Sequence, residues 1–207
     1  MTPNGLSYGW YGKVPCVGDF IRSGLSPAFM TGWDRWMRTL LATAAETLGD
    51  RWDDCYLSAP IWRFALPTGA CGPHAVAGIM MPSVDRVGRR FPLCLAAELG
   101  NIPVKQAYHG ASPDFDALED AALMMLEDGT SLTLLKETLA GLPRSDPGPD
   151  ADADADANGS TRNFAALDAS ATRSLWVAPI GEEDRVLLPQ GLPEDPDTAR
   201  AFFDLHA

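Results

Sequence analysis

The most regular alternation of apolar and polar positions lies between Ser26 and Gly49. Apolar residues recur there every three or four positions, which is the spacing of one helical face, and they are Phe29, Trp33, Trp36, Met37, Leu40, Leu41, Ala44 and Leu48. Ser26 suits an N-cap, Pro27 suits the first helical position, and Gly49 is a typical stop. The pattern therefore predicts one long amphipathic helix that lies across a sheet.

Two apolar segments, residues 74–81 and 91–99, predict the central strands of that sheet. Neither segment alternates cleanly between apolar and polar residues, so we expect both faces of these strands to be covered. In the 82–92 turn between them, Asp85 can accept hydrogen bonds from nearby backbone amides, and Gly88 can adopt a positive φ. The turn is thus expected to be rigid, and three arginines project from it: Arg86, Arg89 and Arg90.

Two interpretations of those arginines stay open at this point. They are either solvated side chains on a structural turn or a docking surface, because a guanidinium group presents a planar fork that suits carboxylate or phosphate.

The remaining patterns complete the order of elements. An irregular strand and a tight loop open the chain at residues 8–21, and residues 56–66 predict a strand that Pro60 interrupts. Two helices follow Ser112, two short strands lie at residues 175–178 and 185–188, and Asp195 precedes a last helix. Because several strands follow one another directly, the prediction is an α/β (α+β) single-domain sandwich. Its central sheet is expected to be mixed or largely antiparallel and flanked by helices, as in longin-like or profilin-like folds.

Composition narrows the classes of function. A chain of 207 residues fits one domain. The net charge of −12 argues against a nucleic-acid partner, since phosphate contacts need a basic face. No stretch reaches the ~18 apolar residues of a membrane span, and the N-terminus resembles no signal peptide, so we expect a cytoplasmic location without membrane insertion. Five aspartates in residues 146–156 predict an acidic flexible loop, residues 144–160, within the domain.

Candidate chemistry is sparse. Four cysteines, Cys16, Cys55, Cys71 and Cys94, form no C-x-x-C pair, so neither a metal site nor a cofactor is expected. Cys71 and His74 lie close enough in sequence to suggest a small hydrolase, although such pairs normally come from distant segments. Asp19 and Asp85 are candidates for a carboxylate pair. Among the six tryptophans, Trp10 and Trp62 have polar neighbours and are the best candidates for exposed binding residues.

Three motifs in order along the chain resemble one known family. The first is the G-x-x-G-K-x-P-x-x-G-D-F pattern beginning at Gly9, and the second is the W-D-x-W pattern at Trp33–Trp36. The third has two parts, a segment similar to S-P-x-W-R-F at Ser58–Phe64 and M-P-S-x-D-x-V-G-R-x-F-P-L beginning at Met81. Together they are similar to the TagF (also called ImpM) family of type VI secretion-associated proteins. The resemblance is strong over residues 8–99 and rests on element order beyond them.

The resemblance implies a non-enzymatic bacterial regulator in the cytoplasm. Proteins of this family are taken to repress type VI secretion after translation, at least partly by binding a forkhead-associated scaffold protein. The residues it singles out either hold the fold together or contact the partner: Trp10, Lys13, Gly18, Asp19, Phe20, Trp33, Asp34, Trp36, Trp62, Arg63, Ser83, Asp85, Arg86, Gly88 and Arg89. A small-GTPase-binding adaptor, suggested by fold analogy alone, and the Cys71/His74 hydrolase remain the alternatives.

Overall fold

A seven-stranded antiparallel sheet carries the fold of this protein, for which we describe residues 6–142, 172–181 and 183–205 of a computed structural model. The strands are β1 (Gly9–Gly12), β2 (Ile21–Ser23), β3 (Trp62–Leu66), β4 (Val76–Met81), β5 (Leu93–Glu98), β6 (Leu175–Ile180) and β7 (Glu183–Leu187). The helices are α1 (Pro27–Leu48), α2 (Trp52–Ser58), α3 (Val104–Ala111), α4 (Phe115–Met124), α5 (Leu132–Ala140) and α6 (Pro196–Phe203).

The strands lie in the order β2-β1-β5-β4-β3-β6-β7, and every neighbouring pair is antiparallel. The predicted central pair is confirmed, because β4 and β5 pair over their full length from Val76 opposite Glu98 to Met81 opposite Leu93. The sheet is open, with the short strand β2 at one edge and β7 at the other.

Helices cover both faces of the sheet, as the absence of polar alternation predicted. Along β5, Leu93, Leu95 and Ala97 face the layer of α3, α4 and α5, whereas Cys94 and Ala96 face the layer of α1, α2 and α6. All five of these residues are at most 1% exposed. The molecule is therefore a three-layer sandwich of the α/β class.

The long helix follows its sequence signals closely. The hydroxyl of Ser26 accepts a hydrogen bond from the amide of Phe29, Pro27 opens the helix, and Gly49 ends it with a φ of +54°. Its apolar face meets α6 and the sheet in an aromatic core. There the ring centroids of Trp36 and Trp176 lie 5.4 Å apart, and Trp176 meets Phe202 at 4.9 Å.

The prediction of a strand entry at Tyr56 was wrong, because this segment forms α2 and the strand starts only at Trp62. Only Tyr56 of this seven-residue helix is buried, so no apolar period could reveal it. The helix is instead fixed by tertiary contacts: the Tyr56 hydroxyl donates to the Ser83 carbonyl at 2.7 Å, and the ring lies 5.7 Å from that of Phe203.

Two further elements, β2 and α3, were missed. The three residues of β2 form a strand because they pair with β1, a contact for which the sequence has no local signal.

The helix predicted to begin at Ser112 starts later. Ser112 begins a 3-10 turn, and α4 starts at Phe115 after the buried Asp114. The Asp114 carboxylate accepts a hydrogen bond from the Tyr8 hydroxyl at 2.9 Å. The predicted acidic loop, residues 144–160, lies outside the described residues.

Candidate functional site

The 82–92 turn is organised by the carboxylate of Asp85, which is only 2% exposed. Oδ1 accepts from the amides of Val87 (3.1 Å) and Arg89 (2.9 Å), and Oδ2 accepts from Arg89 Nε at 2.6 Å. The Gly88 amide closes the turn on the Asp85 carbonyl at 2.8 Å, and Gly88 has a φ of +83°. Both sequence expectations for this turn, the Asp85–amide bonds and the positive φ, are thus confirmed.

Asp85 also ties the turn to the 12–20 loop. Its Oδ2 accepts from Lys13 Nζ at 3.0 Å, and Lys13 itself is only 7% exposed. Burial alone would raise the pKa of the Asp85 carboxyl, but hydrogen bonds from the Arg89 amide, the Lys13 ammonium and the Arg89 guanidinium outweigh it. The net result is a pKa below the usual range, so Asp85 stays ionised at neutral pH.

Backbone contacts reinforce the same junction. The Arg86 amide donates to the Val17 carbonyl at 3.0 Å, and Arg89 Nη2 donates to the Gly18 carbonyl at 2.6 Å. The exposed Asp19 turns its carboxylate to the amide of Phe20 (2.8 Å). The partners of Asp85 are therefore cations and amides, and the structure does not support the candidate Asp19–Asp85 carboxylate pair.

An aromatic cluster lies beneath the loop. The rings of Tyr11 and Phe20 stack at 5.5 Å, and Phe91 meets Phe20 edge-on at 4.8 Å. Two cations flank the Phe20 ring, Lys13 at 5.0 Å and Arg38 at 5.6 Å from its centroid. Tyr11 and Arg38 were not singled out in the sequence, because their role arises only from contacts between β1, the loop and α1.

Asp34 connects this cluster to α1. It accepts from Arg38 Nε at 2.7 Å, from Arg38 Nη2 at 3.1 Å and from the Tyr11 hydroxyl at 2.8 Å. Burial alone would raise the pKa of the Asp34 carboxyl, but these hydrogen bonds lower it, while burial and the Asp34 bond raise the pKa of Tyr11. Asp34 is thus a charged, fully engaged bridge within the framework.

The three arginines of the turn have different environments. Arg89 is bound to Asp85 and Gly18, and Arg90 pairs with Asp53 of α2 at 2.8 Å. Arg86 is exposed and makes no side-chain hydrogen bond or ion pair within the described ranges. Its guanidinium lies beside Gly18, where an added Cβ would be 3.1 Å from Nη2.

Next to Arg86, Val87 exposes 70% of its surface. This is the highest value among the exposed large apolar residues in the described part of the chain. Arg86, Val87 and Gly88 together form the exposed tip of the turn, referred to below as the tip. Val87 is the fixed valine of the motif that begins at Met81, but it was not among the candidate site residues, although an aliphatic residue inside a polar turn was a usable signal.

The tryptophan predictions need correction. Trp10 is 7% exposed and Trp62 is fully buried, so neither is the exposed binding residue that was expected. Their polar neighbours reflect strand positions and not solvent contact, since the Trp62 indole nitrogen donates to the Phe202 carbonyl at 3.0 Å. Trp33 and Trp36 are likewise buried, and Trp36 donates to the Pro193 carbonyl at 2.7 Å. All four tryptophans stabilise the fold.

Arg63 and Ser83 also act inside the molecule. Arg63, whose side chain is 11% exposed, joins β3 to α4 through Asp116 and Glu119, each at 2.6 Å. The Ser83 amide donates to the Tyr56 hydroxyl at 3.1 Å, and the Ser83 carbonyl accepts from the same group. Ser83 Oγ, buried from solvent, has no partner in the described part of the chain.

The suggested Cys71–His74 pair lacks the features of a nucleophilic site. Burial raises the pKa of the Cys71 thiol to about 12, so the thiol is protonated at neutral pH, whereas catalysis needs a thiolate. Cys71 is 3% exposed, and His74 is exposed.

Within residues 6–142, 172–181 and 183–205, no three His, Cys, Asp or Glu side chains cluster to hold a metal. No helix in these ranges is long and apolar enough to cross a bilayer.

Comparison with known proteins agrees with this geometry. The family model for the TagF N-terminal domain, described as type VI secretion system-associated, matches residues 9–142. The crystal structure of PA0076 from Pseudomonas aeruginosa PAO1 superposes with a TM-score of 0.77 at 30% identity, covering 97% of this chain and 96% of that one. No curated protein matches the sequence. The chain therefore belongs to the TagF family of type VI secretion-associated proteins, as its sequence motifs predicted.

Proposed function

We propose that this protein is a cytoplasmic regulator without catalytic activity that represses type VI secretion after translation. It acts by binding a forkhead-associated scaffold protein of the secretion apparatus, and the tip formed by Arg86, Val87 and Gly88 makes the central contact. Family membership supports the link to type VI secretion. The proposed contact with the scaffold protein rests on the exposed side chains of the tip.

The supporting observation is the contrast between the tip and its base. Below the tip, Asp85 and Lys13 are buried and fully engaged with one another and with Arg89. Above it, Arg86 and Val87 are exposed, and the Arg86 guanidinium has no partner in the described ranges. A preorganised turn that offers an arginine beside an aliphatic side chain loses little conformational entropy on binding.

The motif residues divide accordingly. Those that are buried, such as Trp36, Asp85 and Arg63, form the framework, and Arg86 and Gly88 lie on the exposed surface. Repression then needs no reaction, because occupying the scaffold protein is sufficient to hold back assembly.

The test is isothermal titration of the purified forkhead-associated scaffold protein with wild-type protein and with the Arg86→Ala/Val87→Ala variant. The double variant should bind at least about tenfold more weakly and keep the wild-type melting temperature, since neither side chain supports the fold. Arg22→Ala, which removes another exposed arginine without a partner in the described ranges, is the matched control and should bind normally. Unchanged affinity of the double variant would remove the tip from the interface.

A further inference from the structure

Two open depressions flank the outer side of α1. A depression of about 510 Å³ lies between α1 and the 69–72 loop, and one of about 360 Å³ lies between α1 and the β1–β2 ribbon. Pro27, Thr31 and Arg35 form an exposed row of α1 that lies between the two depressions and lines both. The two depressions together are called the α1 groove below. This α1 groove is separate from the tip, since none of the tip residues lines it.

The α1 groove carries positive charge that nothing in the described structure neutralises. Across the described ranges, three arginine side chains make no hydrogen bond or ion pair, and they are Arg22, Arg35 and Arg86. Two of these three, Arg22 and Arg35, line the groove, and both are exposed. In a chain with a net charge of −12, two unpartnered arginines beside one another in the same groove are a distinguishing feature.

Among the described residues, the one acidic side chain that lines the groove does not cancel them. Asp34 is already held by both nitrogens of Arg38 that face it and by the Tyr11 hydroxyl. That pair is neutral overall, so the charge of Arg22 and Arg35 remains available to a ligand. The half-buried Met30 and the mostly buried Tyr11 line the same depression as the two arginines.

We propose that the α1 groove binds an extended acidic segment of a partner protein. Arg22 and Arg35 each pair with a carboxylate, and an apolar side chain of the segment packs on Met30. The overall negative charge of the protein repels such a segment everywhere else, which restricts it to the groove. This binding does not depend on the forkhead-associated partner or on the tip.

Two arginines on separate elements favour separate carboxylates of a peptide. Arg22 of β2 and Arg35 of α1 both line the smaller depression, and Arg35 also lines the larger one. A phosphorylated residue would instead call for several donors that converge on one group. Nucleic acid is bound chiefly through phosphate contacts on a basic surface, and two arginines in a chain with a net charge of −12 do not form one.

The experiment follows the arginine Nε–H signals of ¹⁵N-labelled protein by NMR during titration with the peptide acetyl-Glu-Leu-Asp-Ala-Glu-Leu-Asp-amide. The signals of Arg22 and Arg35 should shift and saturate, and added salt should weaken the binding. Arg35→Gln should raise the dissociation constant roughly tenfold, the usual effect of losing one charged hydrogen-bonded contact. The matched variant Arg86→Gln removes the third unpartnered arginine and should bind the peptide like wild type.

Several results would overturn the proposal. They are shifts confined to residues outside the groove, equal affinity of wild type and Arg35→Gln, equal affinity for the peptide with every acid replaced by its amide, or binding only of a phosphoserine version. The two proposals fail separately, because Arg86→Gln addresses the tip and Arg35→Gln addresses the groove. Both variants should fold normally, since neither side chain bonds to the rest of the described structure.

Discussion

The ammonium nitrogen of Lys13 lies 3.0 Å from Oδ2 of Asp85, and their side chains are only 8% and 0% exposed. Seventy-two positions separate the two residues in sequence, so this contact joins the first loop of the chain to the turn between the two central strands. Each residue belongs to a different motif of the family. The pair explains why both motifs occur together: they are the two halves of one buried junction.

The first prediction concerns the pH dependence of stability. The pKa of Asp85 is lower in the folded protein than its unfolded value of about 4. Its stabilising contribution is therefore complete above pH 4 and is lost as the pH falls towards the folded value. Asp85→Asn should be less stable than wild type at pH 7, and the difference should narrow at pH 3. Urea unfolding followed by tryptophan fluorescence measures both differences.

The carboxyl groups of Asp34 and Asp195 also have lowered pKa values, but they are present in both proteins and cancel in the comparison. A difference in the free energy of unfolding that stays constant between pH 7 and pH 3 would contradict the assigned ionic role of Asp85.

The second prediction contrasts two arginines of the motifs. Arg63→Ala should cost about 3 kcal/mol, because it leaves the half-buried Glu119 and its neighbour Asp116 without their cation. Arg86→Ala should change the free energy of unfolding by less than about 0.5 kcal/mol, as is usual for a surface residue. Chemical denaturation of wild type and of the two variants measures both changes in the free energy of unfolding. A large loss for Arg86→Ala would mean that this residue is part of the framework.

The third prediction concerns Trp36. Its side chain is 2% exposed and packs between α1, α6 and β6, so Trp36→Ala should lose about 3–5 kcal/mol of stability. Trp36→Phe keeps most of the ring area and should lose less, although it leaves the Pro193 carbonyl without its donor. Thermal unfolding ranks the two variants. If Trp36→Ala kept the wild-type stability and lost partner binding, the buried role would be wrong.

The fourth prediction compares two glycines. At Gly12 an added Cβ would collide with the backbone carbonyl oxygen of Pro92 and lie 2.8 Å from Leu93 Cα. Gly12→Ala should therefore displace the loop from β5 and leave little folded protein. Gly88→Ala meets nothing within 4 Å, so its cost is limited to roughly 1–2 kcal/mol of left-handed backbone strain. Circular dichroism measures how much of each variant is folded. The comparison shows whether a backbone clash, as at Gly12, is more damaging than left-handed strain, as at Gly88.

The fifth prediction concerns Cys71. Because burial raises the pKa of this thiol to about 12, iodoacetamide at pH 8 should modify it far more slowly than the half-exposed Cys16 and Cys55. Mass spectrometry of the native protein locates the modified residues. Cys71→Ala should retain secretion control in cells, and loss of that control in a stably folded variant would revive the hydrolase hypothesis.

Much of the framework could be predicted from the sequence because its signals are local. The capping residues of α1 and the double-sided apolar strands β4 and β5 depend on neighbours in the chain, and these elements are confirmed. The turn at Asp85 was also predictable, since an aspartate and a glycine at this spacing form a recognisable turn.

The elements that were missed depend on distant contacts. The helix α2 is fixed by Tyr56 reaching Ser83 and Phe203, and β2 exists only because β1 pairs with it. At the candidate site, the motifs could be recognised in the sequence, but the burial of each motif residue could not be predicted from it. Trp10 and Trp62 lie inside, and Val87, a motif residue that was not among the candidate site residues, lies on the surface.

We propose that the tip touches the forkhead-associated scaffold protein. The most direct measurement places a photo-crosslinking amino acid at Val87 in cells that express both proteins, with Leu123 of α4, 48% exposed, as the matched control position. The scaffold protein should be crosslinked from position 87 and not from position 123. Crosslinking from position 123 alone, or from neither position while the two proteins still co-purify, would contradict it.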